Sequence, residues 1–256
     1  GNDGHDLQSV DQAVSTDTGR RIGELPDQSK KTVTMPRPKA VLFDLDGTLI
    51  DTAPEFIEIG HTLRTEAGLP PISSDIIRHS VSQGAVGMVQ SAMEIGVNDP
   101  ELEHWRGRFL ALYEEKLGHR STPYPGLPEL VGVLGKSGIP WGVVTNKLAR
   151  FALPLMDKMG FVPVAGAIVT PDHVTHAKPH PEAVTLACHQ LSCDPSETLF
   201  VGDHLRDIEA GQAAGCCTIA AAYGYLTQGE SAHAWQADAV VNSSEELAEL
   251  IEGTVS

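Results

Sequence analysis

The sequence predicts an α/β protein built on a parallel sheet, with an all-helical segment inserted after the first strand. Three observations carry this prediction. Short apolar runs alternate along the chain with longer stretches of helical periodicity. Four of those runs are followed by polar residues, as strands of a parallel sheet are where they reach the ligand-binding edge. One region, Pro54 to Pro123, breaks the alternation and carries helical spacing alone.

Residues 1 to 34 are rich in Asp, Gln, Ser, Thr and Gly, and their longest apolar run is Ala13-Val14. So little apolar surface does not offset the entropy of ordering, and a disordered extension is expected. From Pro36 onward, Ala40 to Phe43, Trp141 to Val144, Ala167 to Val169, Thr198 to Val201 and Cys217 to Ala221 read as buried strands. Between them, Leu127 to Leu134, Phe151 to Met159, Pro181 to Leu191 and Ile208 to Ala214 read as crossover helices. In the inserted region Phe56, Ile59 and Leu63 recur at helical spacing, as do Val86, Val89 and Met93, and again Trp105, Phe109 and Leu112. The chain returns at Pro123-Tyr124-Pro125-Gly126, a turn-rich hinge. The expected domains are therefore a core of residues 35–53 and 124–256, and a helical cap of residues 54–123 placed over the strand ends.

At 256 residues, with 41% hydrophobic and 20% charged positions, the chain can bury a sizeable core. Its 18 basic and 34 acidic residues give a formal charge of −16, which repels polyanions and argues against nucleic acid or an anionic membrane as the main partner. No stretch approaches the length of a membrane span and the N-terminus has no apolar signal region, so a cytoplasmic location is expected. Cys188, Cys193, Cys216 and Cys217 form no C-x-x-C pair and sit in apolar segments, which favours buried reduced thiols.

The chemistry is concentrated at the strand ends. Asp44 and Asp46 follow the first strand one residue apart, and two like charges so close need a cation or a shared proton. Thr145-Asn146 follows the second, Lys178 stands in the loop beyond the third, and Gly202-Asp203 with Asp207 follows the fourth. A carboxylate nucleophile, a second carboxylate as acid and base, a hydroxyl donor, a lysine and further acids for a metal suit phosphoryl transfer through an aspartyl intermediate.

In this order and spacing the motifs resemble those of the haloacid dehalogenase superfamily, over Pro36 to about Ile251. The resemblance implies a Rossmann-like core with a small helical cap. It makes Asp44 the nucleophile and Asp46 the residue that protonates the leaving oxygen and later deprotonates water. Thr145 and the backbone beside Asn146 would hold phosphate oxygens, and Lys178 would bind phosphate and orient Asp44. Mg²⁺ would be held by Asp44, the Asp46 carbonyl and Asp203, with Asp207 acting directly or through water. An acid at position 46 points to phosphomonoester hydrolysis or phosphosugar mutation.

Arg78-His79-Ser80-Val81-Ser82-Gln83-Gly84-Ala85 is similar to the R-x-x-V-G-x-G-A cap segment of the phosphoglycolate phosphatase group, with Ser82 replacing the first glycine. Arg78, Gln83 and Gly84 are thereby expected to contact substrate. Trp141 to Lys147, Pro171 to Val174 and Leu205 to Glu209 resemble the branch that dephosphorylates N-acetylmuramic acid 6-phosphate in bacterial cell-wall recycling. The implied function is Mg²⁺-dependent hydrolysis of a small phosphorylated metabolite, N-acetylmuramate 6-phosphate ahead of 2-phosphoglycolate. A phosphosugar mutase and a non-catalytic interaction protein are the alternatives of other classes. His173, His176 and His180 flank Lys178 with no cysteine or acid read at zinc-site spacing, and are expected to be loop histidines.

Overall fold

Six parallel strands form the central sheet of the computed structural model, which describes residues 35–256 other than Pro163. The extension expected at residues 1 to 34 lies outside the described residues. β1 (Ala40–Phe43) runs at the centre, between β4 (Trp141–Val144) and β6 (Thr198–Gly202). β5 (Ala167–Val169) flanks β4, and β7 (Cys217–Ala221) and β8 (Ala239–Val241) extend the sheet beyond β6. Val41 pairs with Trp141 on one side and Leu199 on the other, so three strands end together where Asp44, Thr145 and Asp203 follow.

The sheet is buried on both faces, which is why its strands read as apolar runs without alternation. Val41, Phe43, Val143 and Val201 face one apolar cluster with α5 (Leu127–Lys136), α6 (Ala149–Lys158) and α9 (Ser244–Val255). Leu42, Val144 and Phe200 face the other, with α7 (Glu182–Gln190) and α8 (Leu205–Ala214). The five expected strands and four expected crossover helices are present. β8 and α9 were not anticipated, because Ala239-Val240-Val241 is too short a run to stand out from a loop.

The inserted region folds as α1 (Ala53–Glu66), α2 (Ser74–Arg78), α3 (Gly84–Met93) and α4 (Leu102–Lys116), with a 3₁₀ turn at Val81–Gln83. Phe56, Ile59, Leu63, Val89, Met93, Phe109 and Leu112 are buried as their spacing predicts. Val86 is not: it is 37% exposed, and α3 turns Met88, Val89, Ala92 and Met93 inward instead. Phe56 stacks on Phe109 at 5.9 Å between ring centroids, and Tyr113 reaches Phe151 of α6 at 5.1 Å.

The chain leaves and re-enters the sheet region through a two-stranded antiparallel ribbon, β2 (Ile50–Asp51) and β3 (Thr122–Pro123). Buried Glu55, in the first turn of α1, ties the two passages together. Its carboxylate accepts the backbone N–H groups of Gly118, Arg120 and Ser121 at 3.0, 2.9 and 2.8 Å. Among the described residues no helix is long and apolar enough to cross a membrane.

Candidate active site

The residue after β1 is Asp44, whose backbone N–H still pairs with the Val201 carbonyl at 2.8 Å. The chain then turns back on itself, with the Leu49 and Ile50 N–H groups converging on the Leu45 carbonyl at 3.0 Å each. Gly47 makes this turn possible twice over. Its φ of +83° is costly for any residue with a Cβ, and a Cβ there would stand 2.2 Å from Asp203 Oδ2. The glycine of the D-x-D-G-T run therefore lets the β1 loop press against the acid that follows β6.

Lys178 enters from the loop after β5 and is buried. Its ammonium donates to Asp44 Oδ1 at 2.8 Å, to Asp207 Oδ1 at 2.7 Å and to the Val144 carbonyl at 2.7 Å. Three donors meet three acceptors, so the lysine is fixed between two carboxylates. Burial alone would lower its pKa, but Asp207 and Asp44 outweigh that and raise it. Asp207 is spent on both oxygens: the second accepts the His204 N–H at 3.0 Å, capping α8. Asn146 and Lys178 hold each other reciprocally, Nδ2 donating to the Lys178 carbonyl at 2.9 Å and Oδ1 accepting the Lys178 N–H at 3.2 Å. The Asn146 amide thus positions the lysine's backbone. The Thr145 hydroxyl oxygen accepts the Lys147 N–H at 3.0 Å, which leaves its own proton to donate.

Asp44, Asp203 and Asp207 bring carboxylate oxygens within 4.8 Å of one another, all buried. Burial first, then repulsion from Asp207, raises the Asp44 pKa; burial, then Asp44 and Asp207, pushes Asp203 well above the carboxylate range. One lysine does not balance three acids. Asp203 keeps its position through Thr48 Oγ1 at 3.1 Å and the Tyr225 N–H at 2.7 Å. An all-oxygen, electron-rich group of this kind fits a hard divalent cation such as Mg²⁺, whose charge offsets the surplus.

Asp46 faces differently. It accepts from Lys147 Nζ at 2.5 Å and from Thr52 Oγ1 at 2.7 Å. The ammonium of Lys147 also lies 5.2 Å from the Phe56 ring centroid and 4.9 Å from that of Tyr113, so side chains of α1 and α4 pack against it. Neither Lys147 nor Thr52 was among the expected site residues. The position of Lys147, directly after Thr145-Asn146, was the one available signal. Tyr225, also unexpected, braces the hinge: its hydroxyl accepts the Thr52 and Ala53 N–H groups at 2.7 and 2.8 Å and donates to Asp51 at 2.6 Å.

A cavity of about 360 Å³ lies over these residues. Asp44, Asp46, Thr145, Asn146 and Lys178 line its base, and Gln83 and Gly84 line it from the inserted region. Its walls combine the apolar side chains of Phe56, Met88, Phe109, Tyr113 and Phe151 with the cations Arg106, Lys147, Arg150 and Arg206. Arg78 departs from expectation. It is not part of the lining; its guanidinium stands 3.8 Å from Asp51 and over the Tyr225 ring at 5.8 Å, bracing the hinge. Ser82 is held from both ends: its hydroxyl donates to the Tyr225 carbonyl at 3.1 Å, and its carbonyl accepts from the Arg206 guanidinium. His79 Nδ1 is 2.6 Å from the Leu226 carbonyl.

The histidine loop does contain an acid: His176 and His180 come together with Glu182. Local structure accounts for the grouping. The Glu182 carboxylate accepts the Thr175 and His176 N–H groups, and His180 Nδ1 accepts the Glu182 N–H, which ties the loop to the start of α7. Of the cysteines, Cys188 and Cys216 are buried, whereas Cys193 and Cys217 are half-buried and so fall short of the burial expected for all four; all are free thiols.

Comparison with known proteins agrees with this geometry. The family model described as haloacid dehalogenase-like hydrolase matches residues 41–221. The N-acetylmuramic acid 6-phosphate phosphatase of Pseudomonas aeruginosa is 47% identical over 216 residues, 84% of this chain and 96% of that protein. The phosphoglycolate phosphatase of Chromobacterium violaceum is 35% identical, over 83% of this chain and 96% of that one. Among solved structures, a predicted phosphoglycolate phosphatase from Haemophilus somnus superposes with a TM-score of 0.74 at 26% identity, covering 84% of this chain and 99% of its own.

Proposed function

The chain belongs to the haloacid dehalogenase-like hydrolases, and on that premise we propose that it is a Mg²⁺-dependent phosphomonoesterase acting on N-acetylmuramic acid 6-phosphate. The observation that carries the chemistry is the different anchoring of its two neighbouring acids. Asp44 is held to buried Lys178 beside two further carboxylates, while Asp46 is held by Lys147 and Thr52. Two carboxyl groups in such different surroundings suit two different roles.

An Asp44 carboxylate oxygen attacks phosphorus as the ester oxygen leaves, and Asp46 gives that oxygen its proton. The product alcohol departs and an acyl phosphate remains on Asp44. Asp46, now ionised, takes a proton from water, whose oxygen attacks the same phosphorus and frees inorganic phosphate and the Asp44 carboxylate. Lys178 orients Asp44 and sets its positive charge beside the phosphate, while Thr145 offers a donor to a phosphate oxygen. Asp44, the Asp46 carbonyl and Asp203 would hold Mg²⁺, whose charge balances phosphate against the acids. Asp207 fixes Lys178 through one oxygen and caps α8 with the other, and its remaining lone pairs would serve the cation directly or through water.

The helices α1 to α4 serve as the cap, and residues 35–53 and 124–256 as the core. A cavity of about 360 Å³ falls within the range of roughly 300–1,000 Å³ typical of sites for drug-sized ligands. A two-carbon acid phosphate would leave much of it unfilled, whereas an N-acetylated sugar acid phosphate can set its acetyl and lactyl methyl groups against Phe56, Met88 and Phe109. The 47% identity to the Pseudomonas enzyme supports the same choice. In this role the protein works in the cytoplasm, recycling cell-wall sugars.

Phosphate release with Mg²⁺ should be measured on N-acetylmuramate 6-phosphate, 2-phosphoglycolate, hexose phosphates and nucleotides. The sugar acid phosphate is expected to have the highest kcat/KM. Preference for 2-phosphoglycolate would overturn the substrate, and phosphoryl migration on a sugar without phosphate release would overturn hydrolysis.

A further inference from the structure

Among the described residues, one cation of the cavity, Arg150, has neither an ion pair nor a hydrogen-bonded acceptor. Lys178 is shared by Asp44 and Asp207, Lys147 is paired with Asp46, and Arg106 is 3.2 Å from Glu103. Arg206 donates to the Ser82 carbonyl. Arg150 lines the same cavity and, among the described residues, makes no ion pair. It stands in the first turn of α6, where the Ala149 N–H donates to the Asp172 carboxylate at 2.8 Å while no acid pairs with Arg150 itself. Its guanidinium carbon lies 4.5 Å from the Phe151 ring centroid, which steadies the group without using its five N–H donors.

An anion arriving in the cavity would give Arg150 the partner it lacks, and the position of Arg150 says which anion. The transferred phosphate has to meet Asp44 at the base, where Thr145 and Lys178 are 3% and 4% exposed. Arg150, by contrast, is exposed. We propose that Arg150 binds a carboxylate carried by the non-phosphate part of the substrate, so that this enzyme selects phosphorylated acids over neutral phosphate esters. The inference rests on the phosphatase reading given above. A planar, forked guanidinium matches a carboxylate in two parallel hydrogen bonds, and Phe151 beneath it fixes the plane.

Matched ester pairs test this, each an acid and its neutral counterpart: N-acetylmuramate 6-phosphate with N-acetylglucosamine 6-phosphate, and 2-phosphoglycolate with 2-hydroxyethyl phosphate. The wild type is expected to prefer the acid of at least one pair. Arg150→Gln should lower kcat/KM for that acid by roughly 10- to 100-fold, mainly through KM, and change the neutral partner by less than about twofold. Arg150→Lys should recover part of the preference. An equal loss on both members would place Arg150 on the phosphate and overturn the inference. Hydrolysis without any wild-type preference for an acid would overturn it too while leaving the phosphatase reading intact. No phosphate release from any ester would overturn both.

Discussion

Lys178 and Asp44 are bonded to each other, yet their removal should have opposite effects on stability. Lys178→Met strands the buried Asp44 and Asp207 carboxylates without their cation. Breaking a buried ion pair in this way costs about 3–5 kcal/mol, which for a domain of this size lowers Tm by roughly 10 °C. Calorimetry would show it, and an unchanged Tm would mean that the acids find other partners. Asp44→Asn keeps the shape, removes one repelling charge beside Asp203 and Asp207, and removes the proposed nucleophile. Turnover should fall by a factor on the order of 10⁴ or more, while Tm holds or rises. Phosphate release near the wild-type rate would sink the covalent route. These residues were legible in the sequence because a pair of acids directly after an apolar run is hard to explain structurally. Lys147 and Thr52 were not, since an isolated lysine or threonine becomes informative only once folding brings it to Asp46. Arg78 misled for the same reason: its segment pointed to the cavity, but its side chain bends to Asp51 and Tyr225.

At the level of elements, the hinge is where the sequence was least readable. A ribbon of two residues per strand has no periodicity to detect, and the acid that secures it looks like any other in the first turn of a helix. Glu55→Gln tests its importance. The carboxylate accepts three N–H groups, and an amide would turn its own donors toward at least one of them. The expected cost is about 1–3 kcal/mol, with faster amide exchange at Gly118, Arg120 and Ser121. Protection equal to wild type at those amides would show that the bonds are dispensable. The long helices were readable because three turns repeat a pattern. Even there Val86 went astray, since the adjoining valine and methionines offered α3 an equally apolar face one step around.

Across the whole molecule, a chain of charge −16 gathers three buried acids at one point, and a bound cation should stabilise it markedly. At a hundredfold excess over its Kd, Mg²⁺ would contribute about 2.7 kcal/mol, or roughly 5–10 °C in Tm, compared with protein in chelator. Equal Tm values in the two conditions would exclude binding to the native state. The parallel sheet and the meeting of the four strand ends followed from the sequence, because alternating strands and crossover helices leave few other arrangements; the order of the strands and β8 did not. The cavity's volume and its basic wall did not follow, as they depend on which side chains of α4 and α6 come to face each other. Ser82 shows what one such departure sets in motion. A glycine at that position would keep the Arg206 contact and lose the hydroxyl bond to Tyr225, a difference of about 1 kcal/mol, or roughly fivefold in how often the two sides part. Ser82→Gly is therefore expected to speed amide exchange around this contact, and exchange at the wild-type rate would show that the hydroxyl bond contributes nothing.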